Sequence, residues 1–483
     1  MITFIFSLCL LIAGYFVYGK FTEKIFGIKT NRQTPAFTKR DDVDYIPMKS
    51  WKIFMIQFLN IAGLGPVFGA IMGAKFGVSS YLWIVFGSLF AGAVHDYMSG
   101  MMSLRMDGAS LPEIQGKYLG NGVKQLMRVF MVVLMILVGV VFVIGPAGLL
   151  AGLTSGCLPA QFWIYIIIIY YLLATLLPID KIIGRIYPVF GFCILVMAVG
   201  ILVSIFVYHP ALPEIWQGLG NKHPQAETNP VFPMMFVSIA CGAISGFHAT
   251  QSPLMARCMT NEKQGRPIFY GAMIAEGIVA LIWAAAASYF FFDTAEGKSI
   301  FETGTNASVV VDSIARHWMG TTGAVLVILG VIFAPITTGD TAFRSARLII
   351  ADFLNLDQKP ISKRLLIAVP LFVVAIIVLL YSLYDANGFE TIWRYFAWSN
   401  QTLSVFTLWT VTVYLSLKKK PYIITLIPAL FMTMVCSAFV FVQKEGFLGL
   451  DPTLAYVLSG IITMASLIGF IIWKKNEPSK TTS

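Results

Sequence analysis

Few ionisable side chains fall inside the apolar stretches of this sequence, and those that do are the natural place to look for chemistry. Glu276 sits in Ala275-Glu276-Gly277 with long apolar runs on both sides. A lone carboxyl in that setting must pair, titrate or face a wet cavity, which makes it a candidate for proton coupling. Asp96, next to His95, lies nearer the end of its apolar block. It either takes part in coupling or is solvated and neutralises Arg105. His248 follows Ser245-Gly246-Phe247 and could bind substrate or carry a proton, or simply pack as a satisfied histidine. Pro335 is followed by Thr337, Thr338, Asp340 and Thr341. Adjacent hydroxyls and a carboxylate suit a hard cation; the alternative is that the threonines bond their own helix and Asp340 pairs with Arg344. Gln57, Asn60, Asn400 and Gln401 are polar enough to line a cavity or to join helices. The six cysteines lie singly, without C-x-x-C or metal-ligand spacing, so they read as packing residues, and neither a metal nor a resident cofactor is expected.

Two stretches of backbone are as informative as the side chains. Asn60-Ile-Ala-Gly63-Leu-Gly65-Pro66 places two glycines and a proline in the middle of an apolar run. Proline removes a donor and disfavours helix in the residue before it, so a helix should stop near Gly63 and restart at Pro66. Cys241-Gly242-Ala-Ile-Ser245-Gly246-Phe-His248-Ala-Thr250-Gln251-Ser252-Pro253 combines flexible backbone with a dense polar run. Unpaired backbone is tolerated at membrane depth only where it lines a protein cavity. Gly63 to Gly69 superficially resembles a dinucleotide loop, but it lies within an apolar span rather than between strand and helix.

The chain that must position these groups has 483 residues, 57% hydrophobic and 12% charged, with a mean hydropathy of +0.78. Soluble domains carry about 25% charged residues, so a soluble enzyme, a secreted disulfide scaffold and a disordered chain are excluded. Apolar blocks near the ~20 residues needed to cross a bilayer predict an all-α polytopic membrane protein with about thirteen transmembrane helices. They lie near 2–19, 53–74, 80–104, 125–153, 160–178, 186–208, 231–256, 267–292, 320–343, 364–384, 393–417, 422–443 and 452–473. The first lacks a basic n-region and is not expected to be a signal peptide. Lys and Arg stay on the cytoplasmic side. With the N-terminus outside, only Lys75, Lys222, Lys298, Arg316, Arg394 and Lys444 fall on the outer side, leaving 28 of 34 inside. The net charge of +10 then belongs to loops facing anionic lipid. Nucleic acid is not an expected partner, and the oligomeric state is left open.

These spans predict an extra helix over 1–19, a basic cytoplasmic loop over 20–52, a five-helix repeat over 53–208, an inverted second repeat over 231–417, two further helices over 422–473 and a cytoplasmic tail over 474–483. Both breaks then fall in the first helix of a half. Interrupted helices at matching places in inverted repeats point to a secondary transporter's binding site. Asn60, Gly63, Gly65, Ser245, Gly246, His248, Asn400 and Gln401 are expected around the substrate, and Thr337, Thr338, Asp340, Glu276 and Asp96 around the coupling ion. Free amides at half-helix N-termini suit an anionic or zwitterionic solute, and unwound carbonyls suit a small cation. Tryptophans 51, 83, 163, 318, 393 and 473 near span ends read as an interfacial belt.

Asp42-Val-Asp44-Tyr45-Ile-Pro47, Ile61-Ala-Gly63-Leu-Gly65-Pro66, Gly92-Ala-Val-His95-Asp96, Gly108-Ala-Ser110-Leu, Ile244-Ser245-Gly246-Phe247-His248, Ala275-Glu276-Gly277 and Ser399-Asn400-Gln401 together resemble the carbon starvation protein A family. The resemblance covers nearly the whole chain. It implies a bacterial inner-membrane protein similar in architecture to the leucine-transporter-like superfamily, which takes up peptides or pyruvate when nutrients are scarce, by H⁺ or Na⁺ symport. Members of the family carry a His-His pair where this chain has Ile56-Gln57, so whatever that pair does is done differently here. A passive channel or facilitator is the main alternative. A membrane-embedded enzyme is weaker, because acidic and histidine residues are sparse. No nucleotide loop of the G-x-x-x-x-G-K-[ST] type is present to drive an ATP pump.

Overall fold

The structure, a computed structural model, describes residues 1–476 except 155–156, 177–182, 304–306 and 385–387. The end of the fifth expected span, the loop after it in part and most of the expected tail lie outside the described residues.

All described regular structure is helical. We number the principal helices α1 (Ile2–Phe26), α2 (Ser50–Ala62), α3 (Gly65–Ala74), α4 (79–105), α5 (Leu111–Leu119), α6 (Asn121–Leu153), α7 (Ala160–Leu176), α8 (Ile183–Tyr208), α9 (231–238), α10 (His248–Ala256), α11 (266–293), α12 (Ala307–Leu354), α13 (Ile361–Tyr384), α14 (Gly388–Leu417), α15 (Ile423–Val442) and α16 (Pro452–Asn476). Among the described residues, eight helices are long and apolar enough to cross a membrane, or nine if the bent pair α2–α3 counts as one span. The other expected stretches carry helices that are shorter, more polar or interrupted. Low polar content explains why α8, α13 and α16 qualify easily, whereas α4 and α14 hold polar residues inside the protein.

Burial sorts the helices into two shells. α16 buries only Ala455, Ser459 and Phe470, and α13 turns Leu366, Val369, Val373 and Ile377 outward. Such apolar surfaces match hydrocarbon rather than water. By contrast, all of α10, all of α3 but Met72, and α2 from Ile56 onward are buried. The second break is held in this inner shell, α10 packing against α4, α2 and α12, and α11 packing along α3 and α1. Trp83 and Trp318 are buried rather than interfacial, Trp83 packing on Phe236 and Phe431. That corrects the belt expectation for these two: aromatic neighbours on adjacent helices cover them.

Candidate functional site at two meeting helix breaks

At the first break α2 ends at Ala62, Gly63 adopts φ 33° and ψ −141°, and α3 restarts at Gly65 with Pro66 in its first turn. The two halves are bent by 52°. The second break is longer: α9 ends at Ser238, and 239–247 stays non-helical until α10 begins at His248. The breaks touch. A Cβ added at Gly65 would lie 2.1 Å from Cys241 Cβ, so only glycine permits this approach.

The unwound strand is held by one side chain. Asn400, on α14, accepts through Oδ1 from Ser245 Oγ at 2.9 Å and from the Phe247 amide at 2.7 Å. Its own carbonyl accepts from the Gly246 amide at 3.1 Å. Gly246 is pressed so closely that a Cβ would meet Ser404 N at 2.3 Å and Asn400 O at 2.5 Å. The start of α10 is thus stitched to α14.

Directly beyond the clamp lies a chain of buried ionisable groups. Asp96 faces two histidine ring nitrogens, His95 Nδ1 at 2.7 Å from Oδ1 and His248 Nδ1 at 2.9 Å from Oδ2. The far nitrogen of His248 lies 3.4 Å from Glu276 Oε2. All four residues are fully buried. That 3.4 Å contact is within ion-pair range but lacks hydrogen-bond geometry, and both Glu276 oxygens are without a hydrogen-bond partner among the described residues. If His248 donates from Nδ1 to ionised Asp96, its Nε2 lone pair faces Glu276. One of the two must carry a proton, or a cation must sit between them, for the contact to be attractive. Cys241, His248 and Glu276 also offer donor atoms within 4.8 Å of one another. Such a Cys/His/Glu set could hold a divalent ion, which the sequence spacing did not suggest because the three come from separate elements.

Six of the expected site residues, Asp96, Ser245, Gly246, His248, Glu276 and Asn400, are brought together here, with Gly65 against them through Cys241. Asp96 is not interfacial, which corrects the solvated alternative: Arg105 pairs instead with Glu262 at 2.8 Å. Asn60 and its neighbour Gln57 are buried on α2 without hydrogen bonds among the described residues. Gly63 is separated from the clamp by the Phe142 ring, 2.8 Å from where its Cβ would be. Thr338 Oγ1 donates to Leu59 O at 3.0 Å, joining α12 to the end of α2, and to Ala334 O at 2.9 Å. Thr337 Oγ1 bonds back to Phe333 O and Ala334 O. Asp340 receives the Tyr170 hydroxyl at 2.8 Å and so faces α7. Gln401 Nε2 donates to Phe236 O at 3.1 Å, on α9.

A second charged cluster was not singled out from the sequence as functional. Asp44, in the segment between α1 and α2, is buried with Arg344 at 3.2 Å and Arg347 at 3.9 Å. Burial pushes the Asp44 carboxyl up, but the charges of Arg347, Arg344 and Arg257 outweigh it and hold the group below the usual carboxylate range. The three amides of residues 43–45 all bond Asp41 Oδ1, a local turn that aims Asp44 inward.

A family model described as Carbon starvation protein CstA matches residues 1–158, 157–318 and 290–438. The chain belongs to this family. The peptide transporter CstA of Bacillus subtilis (strain 168) is 28% identical, over 96% of this chain and 94% of that relative. The pyruvate/proton symporter BtsT of Escherichia coli (strain K12) is 28% identical over 58% of this chain and 48% of its own length. Among solved structures, the manganese transporter of Eremococcus coleocola superposes with a TM-score of 0.55 at 13% identity, over 90% of this chain and 98% of that one. At that identity the likeness shows the fold alone, a leucine-transporter-like one. Carbon starvation protein, multi-pass membrane protein and secondary transporter are therefore the level at which family and fold describe this chain.

Proposed function

We propose that this carbon starvation protein takes up a small carboxylate such as pyruvate, or a peptide, across the bacterial inner membrane by symport with H⁺. The observation that carries the reading is His248, which joins Asp96 to Glu276 at the end of the second break. A solute entering the space at the breaks would meet a buried proton-accepting chain on three elements, α4, α10 and α11. Protonation of the His248–Glu276 contact changes the charge beside the Asn400 clamp, which holds the unwound strand at 245–247. A carboxylate solute and a proton arriving together leave the site neutral, whereas either alone adds a buried charge. Na⁺ is the alternative coupling ion: the Thr337 and Thr338 hydroxyls donate to backbone carbonyls and keep their oxygen lone pairs for a cation.

The same reading takes the N-terminus as outside, thirteen crossings in all, and 53–208 and 231–417 as inverted five-helix halves flanked by three further helices. It rests on the charge bias of the loops and on the breaks standing at the start of each half. Uptake of labelled pyruvate and of a labelled dipeptide into proteoliposomes, with H⁺ or Na⁺ gradients imposed separately, tests it. H⁺-driven accumulation of either solute is expected. Equilibration without accumulation would indicate a facilitator, and accumulation driven only by Na⁺ would move coupling away from His248.

A further inference from the structure

A cavity lies at the opposite end of α10 from His248. The enclosed space is small, about 20 Å³, and its lining includes Ser110, Met131, Thr250, Leu254, Arg257 and Ser345. Thr250, Leu254 and Arg257 follow the spacing of a single helix face, so α10 presents one stripe to this space. Arg257 is its one cation, and it is 5% exposed. Nε donates to Gly108 O at 2.9 Å, and the guanidinium lies over the Tyr45 ring at 5.0 Å. Gly108 has φ +73°, and a Cβ there would strike Arg257 Cγ at 2.5 Å. The motif residue Gly108 therefore fixes the arginine stem from below while Tyr45 covers it.

What is left over is the fork itself. Among the described residues the terminal nitrogens of Arg257 have no hydrogen-bond partner, and no carboxylate oxygen comes within 4.0 Å of the guanidinium. The charges of Asp352, Asp44 and Asp41 act on it from farther away, and Asp44 is already engaged by Arg344. Ser110 is the N-cap of α5, so the positive end of that helix lies at the same cavity; its hydroxyl is engaged by Asp352, and those of Thr250 and Ser345 by backbone carbonyls. A buried guanidinium with free fork donors, beside a helix N-terminus, matches a carboxylate in geometry and charge.

We propose that this cavity is a carboxylate subsite, in which Arg257 holds the substrate's carboxyl group on the inner side of the breaks before release. The proposal rests on the transporter reading above and names its second stop. α10 connects the two stops: His248 and Arg257 are nine residues apart, about 14 Å along a helix. Asp352 competes with the substrate for Arg257, so removing its charge strengthens the subsite.

The test compares wild type with R257Q, R257K and D352N in proteoliposomes and as purified protein checked for monodispersity and helix content. In vesicles, R257Q should raise the KM for pyruvate about tenfold from the face onto which the cavity opens and less than twofold from the other. R257K should recover part of the loss, and D352N should lower that KM. Equal KM changes from both faces, or none, would overturn the subsite. In detergent, pyruvate should bind saturably to wild type and weakly to R257Q, with methyl pyruvate, which lacks the charge, failing to compete. If wild type transports neither pyruvate nor dipeptide, the transporter reading of the substrate fails, and the binding arm still decides: Arg257-dependent binding keeps the subsite, and no binding removes it.

Discussion

At the first break, the chain turns within three residues and surrounds itself with apolar neighbours, the Phe142 ring on one side and Cys241 on the other. At the second, the interactions are polar in kind: an amide clamp, a hydroxyl and a histidine between two carboxylates. The first break supplies close approach and the second supplies charge. Glycine serves both, but differently. Gly65 makes way for a side chain, and Gly246 makes way for the backbone of α14.

That difference predicts a ranked series of effects. The largest is expected for G246A. Its Cβ would collide with main-chain atoms of Asn400 and Ser404 that have nowhere to go, so uptake should be abolished and stability lowered by about 2–3 kcal/mol, read by uptake and by thermal unfolding in detergent. Near-normal uptake by G246A would remove the clamp from the account. G65A should also lose uptake, but the obstacle is the Cys241 side chain, so G65A/C241G should regain a substantial part of it. Failure of that double variant would mean that the breaks do not meet as described.

Asn400 comes next. N400A strands the Phe247 amide and the Ser245 hydroxyl in a buried site, at about 1–3 kcal/mol, whereas N400D keeps an acceptor for both and should be the milder change. Equal damage from the two would assign Asn400 to packing. The smallest effect on transport is expected from D44N, away from the breaks, where stability is the sensitive readout. Asp44 is held below its ordinary range, so its contribution is full above about pH 4 and fades as pH falls through the folded-state value. The unfolding gap between wild type and D44N should accordingly be about 3 kcal/mol near neutrality and should narrow in acid. A gap independent of pH would mean that the ion pair contributes little.

Local backbone rules made both breaks legible in the sequence, because glycine and proline act through their own and adjacent dihedrals. Partnerships were not. Asp96 and His248 are 152 positions apart, and nothing in either segment announces the other, so Asp96 was open to being read as an interfacial residue neutralising Arg105. Arg105 turns instead to Glu262, from another loop. Cys241 read as a packing residue, which it is, but its packing partner is the other break. The threonines divided: Thr337 bonds within its own turn, as helix physics allows, while Thr338 reaches across to α2. Arg257 has no local signal either, because Gly108 and Tyr45, which bury its stem, come from other segments.

The central claim is that the His248–Glu276 contact carries the coupled proton. Glu276→Gln keeps the shape of the side chain and removes its titration, so counterflow exchange of pyruvate (or of the dipeptide, if that is the solute moved) and H⁺-driven accumulation should be measured on the same E276Q proteoliposomes. The account predicts that exchange persists within about threefold of wild type while accumulation against a gradient is lost. Accumulation by E276Q equal to wild type, under the same pH gradient, would contradict it.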